Sequence, residues 1–118
     1  MSGIMDKAHE LGGAMARTDE YQALKRAIDA SSDDRDVTEL RNELDRLEAA
    51  ITVALRAGKE PEDDDKTAYE QTLSRLQANS TYQRLVAAQT NFDKVVQRVN
   101  EQISKGLEEG ASSRIILT

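Results

Sequence analysis

The residue types that most often carry acid–base or nucleophilic chemistry are scarce in this chain. His9 is the single histidine, and there is no cysteine. A histidine-paired nucleophile, a histidine cluster or a thiolate cluster therefore does not form within one copy. On a helix that also carries Lys7 and Glu10, we expect His9 to be exposed or structural. The sequence predicts no catalytic residue, and the protein is expected not to be an enzyme.

The run Glu62-Asp63-Asp64-Asp65 is the other candidate for chemistry, as a cation site. Successive side chains on a helix point about 100° apart, so four in a row do not converge on one ion. We expect these acids instead to complement the positive end of a helix dipole. The pair Gly12-Gly13 lacks both the spacing and the preceding strand of a phosphate-binding loop. The sequence therefore predicts neither a metal nor a cofactor.

A basic stripe on the last helix raises the question of nucleic acid. Lys94, Arg98 and Lys105 lie near one line of that helix, but no aromatic side chains are interleaved with them. The net charge is −6, with 13 acidic and 6 basic residues in the segment 31–70. An acidic chain is a poor binder of phosphate backbones. We predict no direct nucleic-acid binding, and a stripe that is solvated or that contacts an acidic partner, including the acidic middle of a second copy.

The composition indicates which elements must position these residues. The chain has 118 residues, a single proline and only 3% aromatic residues, which favours long helices and a thin core that self-association would complete. We predict one helical domain over residues 1–109 and a tail, residues 110–118, that is flexible or a short docking segment. No signal peptide or membrane span is visible, so a cytoplasmic protein without membrane insertion is expected.

Apolar spacing predicts five helices. The first carries Ile4, Ala8, Leu11 and Met15 on one face, interrupted by a glycine pair that marks either a close helix crossing or a local kink. The phrase Tyr-Gln-x-Leu-x-x-Ala then occurs twice, from Tyr21 and from Tyr82, and each copy predicts a helix start. Thr18 is the expected cap of the first, and Asn79 or Ser80 that of the second, where Ser80-x-x-Gln83 fits a capping box. Both tyrosines are predicted to be packing residues.

Two later helices carry seams with alternating three- and four-residue steps, as in coiled coils. The first seam begins at Val37 and its helix ends at Gly58, after which Pro61 is predicted to lie in the first turn of an antiparallel partner helix. The second seam lies on the longest helix, from about Thr81 to Leu107, and includes the polar Gln89. The predicted oligomer or partner interface consists of Leu40, Leu44, Leu47, Ile51, Leu85, Phe92, Val96, Val99 and Ile103.

The order of these segments resembles the YlbF/YmcA family of small bacterial helical proteins, which includes the YheA group. The resemblance spans about residues 4–105. Its most specific pieces are Glu20-Tyr21, the run Gly58-Lys59-Glu60-Pro61, and the segment from Asn79 and Tyr82 through Phe92 to Val99-Asn100 and Ile103. None of these residues is catalytic.

The resemblance implies an all-α, helical-hairpin fold that oligomerises through its long helices and serves a regulatory or adaptor role. Members are linked to competence, sporulation and biofilm control, through a complex that influences mRNA processing by an endoribonuclease. Expected partners are therefore a second copy, paralogous family members or an endoribonuclease complex. Iron–sulfur chemistry linked to cysteines in some members does not carry over, because this chain has no cysteine. The alternative function is a self-assembling structural module whose main partner is itself.

Overall fold

The protein is described by a computed structural model that covers residues 3–117, with side chains described for residues 3–112. Within this part of the chain there are five α-helices and no strand. The predicted all-α class with about five helices is confirmed. The helices are α1 (Ile4–Ala16), α2 (Asp19–Asp33), α3 (Arg35–Arg56), α4 (Asp63–Ala78) and α5 (Ser80–Leu117).

The break between α2 and α3 is a single residue wide. Asp34 is the N-cap of α3, and its carboxylate accepts a hydrogen bond from the backbone N–H of Val37 at 3.1 Å. This bond satisfies one of the free N–H groups at the helix start. Ser31 and Ser32 remain helical, so the break consists of Asp34 alone.

Helix α3 ends at a glycine in a left-handed conformation. Gly58 has φ +73°, which an L-residue with a side chain rarely adopts. The backbone N–H of Lys59 donates to the carbonyl of Ala54 at 2.9 Å, and that of Gly58 donates to Leu55 at 3.1 Å. This pair of bonds is a Schellman motif, which satisfies the last carbonyls of the helix. Gly58 is therefore the point at which the chain turns toward α4.

The start of α4 differs from the predicted one. Pro61 precedes the N-cap Glu62, so it lies before the helix and not in its first turn as predicted. The first turn consists of Asp63, Asp64 and Asp65, whose carboxylates favour the positive end of the helix dipole. A proline before the cap still restrains the backbone of the link, because its φ angle is fixed.

Helices α3 and α4 form an antiparallel hairpin. Asp36 and Leu40 at the start of α3 line the same cleft as Arg75 and Ala78 at the end of α4. Packing of the two helices buries side chains from both, so the predicted hairpin is confirmed. The buried residues are Val37 and Leu47 on α3, and Thr72 and Leu76 on α4.

Helix α5 is longer than predicted. It runs from Ser80 to Leu117 and not to about Leu107. Gly106 and Gly110 weaken a helix without ending it, and no proline follows them. The expectation that the chain leaves the helix near residue 110 was therefore wrong. The flexibility or docking role predicted for residues 110–118 stays a prediction, since Thr118 and the side chains of residues 113–117 lie outside the described part.

The chain divides into two compact units. Unit 1 contains α1, the start of α2 up to Leu24, and α5 from Ala88 onward. Unit 2 runs from Lys25 to Ala87 and so contains the α3–α4 hairpin. The boundary falls inside α2 and α5, and the single domain predicted over residues 1–109 stays a prediction.

Among the described residues, the glycine pair of α1 does not lie at a close helix crossing. Helix α1 is continuous through both residues. A Cβ added to Gly12 would meet no described atom within 4 Å, and one added to Gly13 would meet only the Arg17 guanidinium at 3.5 Å. Each glycine costs a helix interior roughly 1 kcal/mol relative to alanine. No contact among the described residues offsets that cost.

Candidate interaction surface

The first copy of the repeated phrase forms the joint between α1 and α2. The Thr18 hydroxyl oxygen accepts a hydrogen bond from the Tyr21 backbone N–H at 3.1 Å, which caps α2 as predicted. The same hydroxyl donates to the carbonyl of Met15 at 2.7 Å. The amide of Gln22 reaches back to the carbonyl of Ala16 at 2.8 Å. Three side-chain bonds thus tie the end of one helix to the start of the next.

The second copy of the phrase builds the same joint between α4 and α5. The Asn79 side-chain oxygen accepts from the Tyr82 backbone N–H at 3.0 Å, so Asn79 is the cap. The amide of Gln83 donates to the carbonyl of Gln77 at 2.8 Å, six residues earlier, as in the first copy. The capping box predicted between Ser80 and Gln83 was therefore wrong. The phrase encodes a helix–helix joint.

The two tyrosine rings are half-buried and have different neighbours. In unit 1, Tyr21 meets Phe92 edge to face, with ring centroids 5.2 Å apart and planes at 65°, a favoured aromatic geometry. In unit 2, the Arg41 guanidinium lies 5.7 Å from the centroid of the Tyr82 ring, within cation–π range. These contacts support the prediction that both tyrosines are packing residues.

The apolar seam of α3 contributes buried side chains to the α3–α4 hairpin. Leu47 is 1% exposed, so its side chain is not available to a partner, contrary to its place in the predicted interface. Leu40, Leu44 and Ile51 are half-buried. Any role of these three in an interface stays a prediction.

The seam of α5 becomes more exposed along the helix. Leu85, Phe92 and Val96 are half-buried, whereas Ile103 is 49% exposed. Gln89 is exposed, and its amide donates to the Asp93 carboxylate at 2.9 Å. The buried residue at this level is Ala88, and the place of Gln89 in an interface seam stays a prediction.

A groove in unit 1 brings α1 and α5 together. It has a volume of about 580 Å³. Leu11 of α1 lines this groove together with Val99 and Ile103 of α5. The lining residues are Leu11, Thr18, Glu20, Val95, Arg98, Val99, Gln102 and Ile103.

Most of the apolar side chains on α1 and on α5 beyond Val99 are exposed. We call this surface the α1–α5 face. The interface predicted from the sequence included only Val99 and Ile103 of this face. The spacing of Ile4, Ala8 and Leu11 could have indicated the part of the face that lies on α1. The face consists of Ile4, Met5, Ala8, Leu11, Val99, Ile103 and Leu107.

The residues considered for chemistry remain dispersed. His9 is exposed on α1. Across the described residues, no three metal-ligating side chains come together as an ion site requires. Among those same residues, no helix combines the length and the apolar character needed to cross a bilayer.

Acidic residues of α5 lie beside the basic stripe on the same helix. Lys94, Arg98 and Lys105 are all exposed. Glu101 and Glu108 lie one turn before and one turn after Lys105 on the same helical face. Arg98 is on the rim of the apolar groove. The stripe therefore does not form an uninterrupted positive surface.

The fold and these exposed helix faces define a small all-α protein of long paired helices. Residues 4–108 match the family described as control of competence regulator ComK, YlbF/YmcA. Because the match covers most of the chain, the protein belongs to the YlbF/YmcA family, as the sequence resemblance predicted.

Relatives and solved structures agree with this assignment. The chain is 25% identical to a UPF0342 protein of Lactobacillus helveticus, over 92% of this chain and 94% of that one. It is 26% identical to a UPF0342 protein of Bacillus cereus, over 90% of each.

Two solved structures share the fold. One is Bacillus subtilis RicA in complex with RicF, with a TM-score of 0.78 and 12% identity over 91% of this chain and 95% of that one. The other is a protein of unknown function (DUF964) from Bacillus stearothermophilus, with a TM-score of 0.63 and 20% identity over 89% and 92%.

Proposed function

We propose that this protein is a non-enzymatic regulatory adaptor that acts by binding other proteins. The observation that carries the proposal is the α1–α5 face. Ile4 and Leu107 of this face are 80% and 70% exposed, and clustered apolar surface is typical of protein–protein interaction sites. Long helices with uncovered apolar stripes are suited to bind helices of a partner.

The kind of partner is proposed from the family. RicA, which shares the fold, is in complex with RicF, and a family member with an open helix face is expected to bind in a comparable way. The proposed partners are a second copy, paralogues and an endoribonuclease complex that processes mRNA. Any RNA is then held by those partners, because this chain is acidic and its basic stripe is interrupted.

Affinity purification from the native cell, with and without ribonuclease, tests this function. The bait is compared with Ile103→Asp on the α1–α5 face, and with Val53→Asp on α3 as the matched control. Val53 is an equally apolar residue that is 67% exposed in unit 2. We expect the wild type and Val53→Asp to recover a paralogue or an endoribonuclease regardless of ribonuclease treatment, and Ile103→Asp to lose it.

The other outcomes separate the alternatives. Recovery of the bait alone supports a self-assembling structural module and contradicts the adaptor role. Partners that disappear after ribonuclease treatment are held through RNA, which contradicts direct protein binding.

A further inference from the structure

The last part of α5 has no packing partner among the described residues. Every residue from Glu101 to Ser112 is exposed, although α5 remains helical to Leu117. A helical segment without packing depends on backbone hydrogen bonds and intrinsic propensity alone, so it unwinds at low cost. Propensity is weak here, because Gly110 and the pair Ser112-Ser113 disfavour a helix. The chain beyond Gly110 can therefore leave the helix at little cost in free energy.

The sequence beyond Gly110 contains a continuous apolar run, Ile115-Ile116-Leu117. In a helix, three successive residues are spread around the circumference at about 100° each, so they do not form one apolar stripe. In an extended chain, the first and the third of three residues point to the same side. The run is thus better suited to dock on an apolar surface in extended form than as a part of α5.

The groove of unit 1 is an apolar surface within reach of this run. It has a volume of about 580 Å³ and is lined in part by Leu11, Val99 and Ile103, of which Ile103 is 49% exposed. Along the axis of α5, Val99 and Ile103 lie about 16 Å and about 10 Å before Gly110. An extended chain from Gly110 to Leu117 spans about 23 Å, which is enough for a reversal at Gly110 and a return to the groove.

Glycines keep the return path open. Gly106 and Gly110 follow Ile103 at steps of three and four residues, so all three lie on the same side of α5. A Cβ added to either glycine would meet no described atom within 4 Å. A chain that folds back along this side can approach the helix backbone closely at Gly106, because no side chain stands between them.

Charge also favours a chain that folds back. In a helix, the neighbours of Arg114 one turn earlier are Gly110 and Ala111, and neither is acidic. The part of α5 just before Gly110 carries Glu108 and Glu109, which are both exposed. A reversal at Gly110 brings position 114 back alongside these two carboxylates.

We propose that residues 115–117 of this chain fold back and occupy the groove lined by Leu11, Val99 and Ile103. The docked state is a second conformation beside the continuous helix, and in it the chain reverses at Gly110. Because the run is tethered, its effective concentration at the groove is on the order of millimolar, so a protein partner that binds this groove has to displace it. That competition rests on the proposed function, whereas the contact itself needs no partner.

A disulfide between the groove and the end of the chain detects the docked state. The chain has no cysteine, so Arg98→Cys with Thr118→Cys introduces a single pair and leaves the apolar run intact. Arg98 lines the groove. In a continuous helix the two positions are about 30 Å apart, far beyond the Cβ separation of about 4 Å that a disulfide requires. Under mild oxidation at low protein concentration, we expect an intramolecular disulfide at the monomer mass.

Asn100→Cys with Thr118→Cys is the matched control. Asn100 is exposed, but it points about 200° away from position 98 around α5. Its disulfide with position 118 is expected to form at least about tenfold more slowly, because a run held in the groove keeps the two thiols apart.

Two further changes in the Arg98→Cys, Thr118→Cys chain test the cause of docking. Ile116→Asp puts a charge into the apolar run and is expected to slow the disulfide at least about fivefold. Gly110→Ala favours the continuous helix and is expected to slow it about threefold. Circular dichroism checks that both variants remain helical.

The competition is tested in the affinity purification from the native cell. Ile116→Asp in the otherwise unchanged chain leaves the groove open, so we expect it to recover more of the same partner than the wild type does. Unchanged or reduced recovery contradicts the competition.

Contrary results for the contact are separate from those for the proposed function. No disulfide, equal rates for the Arg98 and Asn100 pairs, or a disulfide that joins two copies contradicts docking in the groove. If the selective disulfide forms but Ile103→Asp captures the same partners as the wild type, the proposed function fails at this face and the docked contact stands.

Discussion

Tyr21 and Tyr82 are the third residues of their helices, and in both the backbone N–H is held by a capping side chain. The surroundings of the two rings differ, because the Tyr21 ring contacts Phe92 and the Tyr82 ring contacts the Arg41 guanidinium. A short repeated phrase therefore sets the local backbone, while the ring environment comes from residues far away in the sequence.

The Tyr82 ring is expected to stabilise unit 2 through its apolar body. Tyr82→Phe should retain most of the stability, since the ring and its contact with Arg41 remain. Tyr82→Ala should lower the free energy of unfolding by about 1–3 kcal/mol, less than for a fully buried aromatic because this ring is half-buried. Urea denaturation measures both. If Tyr82→Ala left the stability unchanged but abolished partner binding, the residue would be a recognition residue.

Asp34 makes the stability depend on pH under acidic conditions. The backbone N–H of Val37, followed by the Thr81 hydroxyl, lowers the pKa of its carboxyl below the ordinary value of 3.8. A lowered folded-state pKa means that the stabilisation is present above about pH 3.8 and is lost as the pH falls through the folded value. Asp34→Asn keeps the capping oxygen without the titration.

Thermal melts of both proteins as a function of pH test this. We expect the wild type to lose stability relative to Asp34→Asn below about pH 3.8. A difference in melting temperature that is independent of pH would contradict the assignment.

At the scale of the helices, glycines with different backbone angles play opposite roles. Gly58 is left-handed and ends α3, whereas Gly106 lies inside α5 with open space around it. Gly58→Ala should destabilise the protein by roughly 1 kcal/mol, because a Cβ is strained at positive φ. Gly106→Ala should stabilise it by about 0.5–1 kcal/mol by favouring the helix.

Chemical denaturation of the two alanine variants gives the comparison. Equal effects of the same sign at both positions would contradict the destabilising role assigned to the positive φ of Gly58.

For the molecule as a whole, charge argues against direct RNA binding. The net charge is −6, and Lys105 is flanked by Glu101 and Glu108 on its helical face. Three phosphate contacts give weak binding that salt readily removes. In an anisotropy titration with single-stranded RNA at about 150 mM salt, we expect no sub-micromolar binding. Tight binding that is lost when Lys94, Arg98 and Lys105 are all replaced by alanine would contradict this.

The sequence by itself determined the features that depend on near neighbours. The three-and-four spacing of α3, the cap at Thr18 and the turn at Gly58 follow from contacts within about one helical turn, so the all-α class and the hairpin were predictable. Local rules were insufficient where two bonding partners compete. The Gln83 side chain donates to the carbonyl of Gln77 and does not form the predicted capping box with Ser80, because the turn brings that carbonyl within reach.

Only the tertiary structure decided which apolar stripes are covered. Periodicity defines a face of a helix but not its partner, so the seams of α3 and α5 were equally good candidates for an interface. Packing against α4 places Leu47 in a core, while Ile103 remains half exposed beside Leu11. The surface open to a partner is what remains after helices that are distant in sequence have packed together.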